Sequence, residues 1–340
     1  MRVSLGQATS NSTPSSRANS VTPANDAACL LRVVIRHRTS VLGSPRYPRE
    51  VRARTLGLVA SVLVVAGCSG DSSQTGPLDY DTSQPLELSQ PSETRDGAVV
   101  VRDLSYASGT DRVEAYLVFP AAEGDGLPGV VHLHGSGGDR EQMLASAKLV
   151  AAQGMVALTL SAPSQQRTEQ PAGLSAAERI RLQRDETVAD VVAARRGLDV
   201  LEAYGRVDDE RLGLLGFSLG GRLATLVAGV DERVRATILV SAGASPVSEY
   251  VDAAPAELRD VVQEVLPGID PLTYVGQISG SLFIQIGGTD SVVPQDALQN
   301  VVDAAPEGTR VVRYQADHGL DANAERDRID WLVEELGLDR

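Results

Sequence analysis

Lysine is almost missing from this 340-residue chain: Lys148 is the only one, and every other basic side chain is arginine. No physical requirement empties a whole surface of lysine, so we read the bias as the codon usage of a GC-rich genome. Cysteine is nearly as scarce. Cys29 and Cys68 both precede the stretch that reads as a folded body, which leaves that body without a disulfide framework or a cysteine-based metal site. Four histidines (His37, His132, His134 and His318) are too few and too scattered for a histidine-rich metal centre. Basic charge is short as well, with 31 basic against 45 acidic residues and a net charge of −14. Residues 1–67 hold nine arginines and only two acids, so the chain from position 68 onward carries a net −21. An acidic body of this kind excludes nucleic acid, whose binding rests on neutralising phosphates with Lys and Arg, and argues against polyanionic substrates. No internal repeat is present. A 42% hydrophobic fraction with 22% charged residues is that of a soluble globular protein, and the length allows one large or two ordinary domains.

Residues 1–50 are rich in Ser, Thr, Asn and Pro without lasting periodicity. They read as disordered, or as an upstream segment that is not translated. The pattern changes over 51–67, where Arg52 and Arg54 precede an apolar run from Leu56 to Ala66 and then Gly67. A basic flank, a short apolar core and a small-residue end describe a secretory signal peptide, too short for a stop-transfer helix. The ending Val65-Ala66-Gly67-Cys68 resembles a bacterial lipobox, which makes Cys68 the lipidation candidate. It implies export and a lipid anchor on the outer face of the cell membrane. Residues 68–94, polar and Pro-containing, suit a flexible tether between that anchor and a domain over 95–340.

Within the domain, apolar strands alternate with helical segments. Two partly alternating strands, from Ala98 and from Arg112, are joined by an Ala-Ser-Gly-Thr-Asp turn and read as a hairpin. Further strands are expected at Gly129–His134, Met155–Leu160, Leu212–Leu215, Ala236–Val240, Ser281–Ile286 and Arg310–Tyr314. Asp139 is expected to cap a helix running through Ala152. A long helix is expected from Ala176 to about Tyr204, and one or two helices in the Ala/Pro-rich excursion 242–280. Strands apolar on both faces imply an α/β domain, a mostly parallel sheet with helices on both faces and the hairpin as its antiparallel N-terminal edge.

The chemistry centres on Gly216-Phe217-Ser218-Leu219-Gly220-Gly221, between an apolar strand and a packed helix. Small residues at such a junction can mark no more than a tight turn. A serine hydroxyl projects from it only if the backbone bends sharply, and then the residues two before and two after must lack a Cβ. Polar residues just beyond later strands supply the partners. Asp290 follows Ile284-Gln-Ile-Gly-Gly-Thr, and His318, the only histidine after Ser218, follows the last strand. Asp317 and Asp321 are rival acids for His318, with Asp317 expected to point elsewhere in a tight loop. The loop His134-Gly135-Ser136-Gly137-Gly138 is the expected source of a second oxyanion donor beside the Leu219 amide, with Ser136 first and Gly137 second. His134 reads as structural.

The elbow, Gly287-Gly-Thr-Asp290…Val-Pro294 and Asp317-His318-Gly319 together resemble the dienelactone hydrolase-like branch of the α/β-hydrolases, over residues 97–338. The resemblance implies the α/β-hydrolase fold. It also implies a serine hydrolase cleaving small carboxylic esters with Ser218 as nucleophile, His318 as base and Asp290 as its orienting acid, without metal or cofactor. Ser218 stands where dienelactone hydrolases proper use cysteine, which points away from dienelactone itself. The chain lacks an N-terminal propeller, which counts against a prolyl oligopeptidase-like peptidase. A thioesterase or peptidase of the same fold, or a non-catalytic surface-binding lipoprotein, are the other readings. If translation starts at Val51 from a GTG codon, the intact mass of the precursor will match a chain beginning there; any peptide from residues 1–50 in the natively expressed protein overturns this.

Overall fold

The computed structural model of the chain describes residues 76–89, 92–167 and 171–338. The signal-peptide segment 51–67, residues 1–50 and Cys68 lie outside the described residues. The domain is one nine-stranded sheet in the order β1-β2-β3-β5-β4-β6-β7-β8-β9. Three antiparallel strands form one side: β1 (Ser92–Asp96), β2 (Val99–Ser108) and β3 (Asp111–Pro120), with β3 also antiparallel to β5. From there β5 (Val156–Leu160), β4 (Leu127–Leu133), β6 (Val207–Phe217), β7 (Val234–Val240), β8 (Ser281–Gly287) and β9 (Arg310–Tyr314) are parallel.

The expected two-faced burial of the central strands is visible residue by residue, because strand side chains alternate between faces. Val131, Leu133, Leu214, Leu239 and Ile284 belong to one core cluster, whereas Val130, Leu215, Ile238 and Phe283 belong to the other. The first cluster is closed by α3 (Ala176–Ala203), α4 (Leu219–Val230) and α8 (Gln295–Ala304). The second is closed by α1 (Leu144–Ala152) and α9 (Ala322–Glu335), with Trp331 packed on Phe283. From β4 the chain passes to β5 on one side and returns to β6 on the other. The connections after β4 and β6 therefore leave toward opposite faces and open a crevice at their carboxyl ends.

Local signals set several boundaries. Ser175 caps α3 with a complete capping box to Glu178. Asp139 does not cap α1, as its sequence position suggests; it accepts from the Glu141 amide, and α1 begins at Leu144. The excursion 242–280 is more helical than expected. It holds α5 (Val247–Ala253), α6 (Arg259–Val265) and α7 (Pro271–Val275) with two short 3-10 turns, and α2 (Pro163–Gln166) is one turn after β5.

The clearest departure lies in the stretch read as a flexible tether, 68–94. Its described part is packed on the domain, and Ser92–Asp96 is strand β1. Leu78 is 2% exposed, and its carbonyl accepts from Arg195 Nη1 at 2.8 Å. The Tyr80 hydroxyl donates to Asp199, and Arg196 donates to the Pro85 carbonyl. Polar, Pro-containing composition hid this strap because its partners are the part-buried Arg195, the buried Arg196 and an acid on α3, more than a hundred residues away. The side chains of β1 are all exposed, so no apolar alternation announced that strand. Replacing Leu78 with Ala should remove about 2–4 kcal/mol of unfolding free energy in urea titrations. An unchanged midpoint would mean that the strap adds nothing to the domain.

Candidate active site

The turn between β6 and α4 is built on missing side chains. Ser218 has φ 54° and ψ −113°, a left-handed conformation that costs a non-glycine residue about 1–3 kcal/mol unless its surroundings hold it. They do: the Ser218 amide donates to the Val240 carbonyl of β7 at 2.8 Å, and its own carbonyl accepts from Gly221 and Arg222. A Cβ on Gly216 would stand 2.2 Å from the Gly220 carbonyl oxygen, and a Cβ on Gly220 only 2.1 Å from the Leu133 oxygen at the end of β4. Both glycines of Gly-x-Ser-x-Gly are thus required by backbone contacts. As the first residue of α4, Leu219 has no intrahelical acceptor for its amide.

Ser218, His318 and Asp290 come from three different loops and meet in a hydrogen-bonded row. Ser218 Oγ lies 3.0 Å from His318 Nε2, and His318 Nδ1 lies 2.8 Å from Asp290 Oδ2. The Asp290 side chain is fully buried, and its Oδ1 accepts from the amides of Val292 and Val293 at 2.9 and 2.8 Å. Acceptor-only as a carboxylate, Asp290 accepts a hydrogen bond from His318 Nδ1–H, which leaves Nε2 to accept from the Ser218 hydroxyl. The Phe217 ring packs at 5.0 Å from that of His318. The rival acids are engaged elsewhere. Asp317 accepts from the Ser291 amide and hydroxyl and from its neighbour's backbone N–H, which holds its carboxyl below the usual carboxylate range; Asp321 caps α9.

The loop after β4 offers four amides in sequence. Gly135 N–H donates to Gln142 Oε1 at 2.7 Å, Gly137 N–H to Gln165 Oε1 at 2.9 Å, and Gly138 N–H to the Gly135 carbonyl. Gly137 makes the bend at φ +73°. Gly137, the second choice from sequence, is therefore already bound, while the Ser136 amide has no acceptor among the described residues. His134 bridges this loop to the next: Ala162 N–H donates to its Nε2, so its Nδ1 carries the hydrogen donated to the Gly135 carbonyl. Burial holds its pKa below the ordinary histidine value. Both ring nitrogens are committed, as suits a structural residue.

Three supporting side chains escaped the sequence reading. Ser241 Oγ donates to the His318 carbonyl at 2.7 Å and so fixes the loop that carries the imidazole. It follows the apolar run of β7 directly, and looking for polar residues at the end of every strand would have found it. Gln142 and Gln165 carry no such signal, since an exposed glutamine looks the same wherever it points.

Replacing Gly216 with Ala should abolish soluble folded protein or lower Tm by many degrees, because the obstructing atoms are backbone. Gly205→Ala, with open space at its Cβ, should leave Tm within about 2 °C. Equal behaviour of the two variants in thermal denaturation would refute the close-contact account of the elbow.

The domain resembles several solved esterases. An acetyl xylan esterase from Paenibacillus sp. R4 superposes with a TM-score of 0.62 at 20% identity, covering 74% of this chain and 90% of that one. Acetyl xylan esterase 1 from Thermoanaerobacterium sp. JW/SL YS485 gives 0.64 at 18% identity, with 77% and 91% covered. A cold-adapted esterase from an Arctic intertidal metagenomic library gives 0.56 at 19%, with 72% and 97% covered. At these identities the likeness speaks for the α/β-hydrolase fold alone. No curated protein sequence matches the chain. The model of the dienelactone hydrolase family matches residues 113–331, well over half of the chain. With the hydrogen-bonded row of Ser218, His318 and Asp290 lying inside that span, the chain belongs to the dienelactone hydrolase family and is a carboxylesterase-type hydrolase.

Proposed function

We propose that the protein cleaves small carboxylic esters through an acyl-enzyme on Ser218, at the outer face of the cell membrane. The observation that carries the chemistry is the row Ser218 Oγ–His318 Nε2–His318 Nδ1–Asp290 Oδ2, with links of 3.0 and 2.8 Å. His318 takes the Ser218 proton as the oxygen attacks the ester carbonyl. The imidazolium formed is stabilised by Asp290, whose charge two backbone amides also hold in place. The amides of Leu219 and Ser136 receive the developing oxyanion, and each such donor contributes about 3 kcal/mol to lowering the barrier. The free state of the Ser136 N–H, between two neighbours that are bound, supports that choice. His318 then protonates the leaving alcohol and activates the water that releases the acid. No cofactor enters this scheme. Ser218, where dienelactone hydrolases proper use cysteine, argues for esters other than dienelactone itself.

The surface location rests on the pattern Arg52, Arg54, Leu56–Ala66 and Val65-Ala66-Gly67-Cys68. The buried Leu78 follows Cys68 by ten positions, a reach of at most roughly 35 Å when fully extended. A lipid on Cys68 would hold the domain close to the bilayer.

Treatment with a fluorophosphonate probe should label Ser218, and short-chain p-nitrophenyl esters should be turned over. Ser218→Ala and His318→Ala should each lose at least about a thousandfold in kcat, whereas Asp317→Asn should stay within about threefold of wild type. A folded wild-type protein that is neither labelled nor active would defeat the esterase reading and favour a binding role. Preferred turnover of thioesters or amides would redirect it within the same chemistry. Radiolabelled palmitate should appear in the wild-type protein expressed in bacteria and not in Cys68→Ala; incorporation in both would refute the anchor.

A further inference from the structure

Asp190 lies in the middle of α3, 3% exposed, with its carboxylate turned to the short helix α2. Its Oδ1 accepts from the Ser164 amide at 2.8 Å and its Oδ2 from the Ser164 hydroxyl at 2.6 Å. The Ser164 oxygen in turn accepts from Gln165 Nε2 at 2.9 Å, and Gln165 Oε1 accepts from the Gly137 amide at 2.9 Å. A buried carboxylate is thereby connected, through two side chains, to the loop whose Ser136 amide is the oxyanion donor of the proposed mechanism. Two further bonds tie the same pair of loops: Ala162 N–H to His134 Nε2, and Arg140 N–H to Ser161 Oγ.

The direction of every link is forced. A backbone N–H can only donate, so Gly137 requires the carbonyl end of the Gln165 amide to face it. The Gln165 NH2 group then faces Ser164 and needs an acceptor there. Ser164 must therefore send its own hydroxyl hydrogen to Asp190, which has to be an acceptor at both oxygens. A protonated Asp190 would turn its own O–H to Ser164 Oγ and leave the Ser164 hydroxyl hydrogen without its acceptor, and a turned Gln165 would set its NH2 against the Gly137 N–H. Either change weakens the row that holds the loop at Gly137. With Gly135 held by Gln142 and Gly137 by Gln165, the peptide carrying the Ser136 N–H is fixed from both sides.

We propose that Asp190 is a positioning residue of the acyl-transfer site, acting through Ser164 and Gln165 to hold the Ser136 amide where the oxyanion develops. The inference rests on the esterase reading above. The relay works only while Asp190 is ionised. Burial raises its pKa to about 6; Glu186, one turn earlier on α3, adds to the rise, and Arg167 beyond α2 opposes it together with the two bonds from Ser164. Protonated carboxyl therefore accumulates as pH falls through about 6, and the tie is lost in that direction.

Gln165 is exposed, so Gln165→Leu cuts the relay without touching the core. That variant should lose about tenfold in kcat with KM within about twofold, and bind a trifluoromethyl ketone, whose hemiketal oxyanion occupies the same place, about tenfold more weakly. Ser164→Ala and Asp190→Asn should show the same losses, and the double variant Asp190→Asn/Gln165→Leu should be no worse than either single one. The ratio of wild-type to Gln165→Leu kcat should be about ten at pH 8 and approach one by pH 5, a comparison in which any titration common to both proteins cancels. Unchanged kcat in Gln165→Leu, additive losses in the double variant, or a ratio flat across that range would overturn the proposal. Fluorophosphonate labelling of the wild type separates this from failure of the esterase reading. If labelling fails, hydrogen exchange at Gly137 decides: faster exchange in Asp190→Asn and Ser164→Ala supports the relay, and unchanged exchange overturns it.

Discussion

The first turn of α4 touches the end of β4 backbone to backbone, and the geometry of the site depends on that contact. Gly220 has the Leu133 and His134 carbonyls where its Cβ would be, and Gly216 has the Gly220 carbonyl there. With side chains at those two places the helix would have to lift off the sheet. Ser218 could then no longer be pressed into its left-handed conformation, nor could the start of α4 lie beside the loop 134–138. Close packing at this corner thus sets Ser218 and the start of α4 against the loop 134–138.

The remaining parts are joined by polar ties between loops that leave neighbouring strands. The Thr289 amide donates to the Ala316 carbonyl and the Gly288 amide to that of Tyr314, so the loops bearing Asp290 and His318 lie on one another. Asp317 bonds Ser291 across the same gap, and Ser241 holds the His318 carbonyl from β7. On the other side His134, Gln142 and Gln165 brace the loop after β4. A catalytic arrangement tolerates little displacement, and here loops without a core of their own gain rigidity from bonds to one another. The apolar layers beneath do the rest, since β4, β6 and β7 are buried on both faces and cannot shift register without exposing both core clusters.

Legibility in the sequence followed the range of the interaction. Buried strands and long helices could be read because their periodicities are local; α3 runs from Ala176 to Ala203 against an expected Ala176 to about Tyr204. The spacing of Gly216, Ser218 and Gly220 was equally legible, because a sharp turn makes its steric demand locally, Gly216 against Gly220, although the contact of Gly220 with Leu133 of β4 is long-range. The strap at 76–89 and strand β1 were not, for their order comes from Arg195, Arg196, Asp199 and the edge of β2 rather than from their own composition. Asp139 failed as a helix cap because any acid near a helix start looks alike until the backbone is traced.

What the sequence by itself determined is the order of the parts: alternating strands and helices, a serine on a turn that only glycines permit, and an aspartate and a histidine beyond later strands. Each follows from short-range sterics or from hydrophobic period, which are properties of neighbours along the chain. The tertiary structure decided which of several acids reaches His318, which loop amide stays free, and that a buried carboxylate on α3 is wired to that loop. Those outcomes depend on distances between residues 25 to 100 positions apart, which are set only when the sheet is assembled.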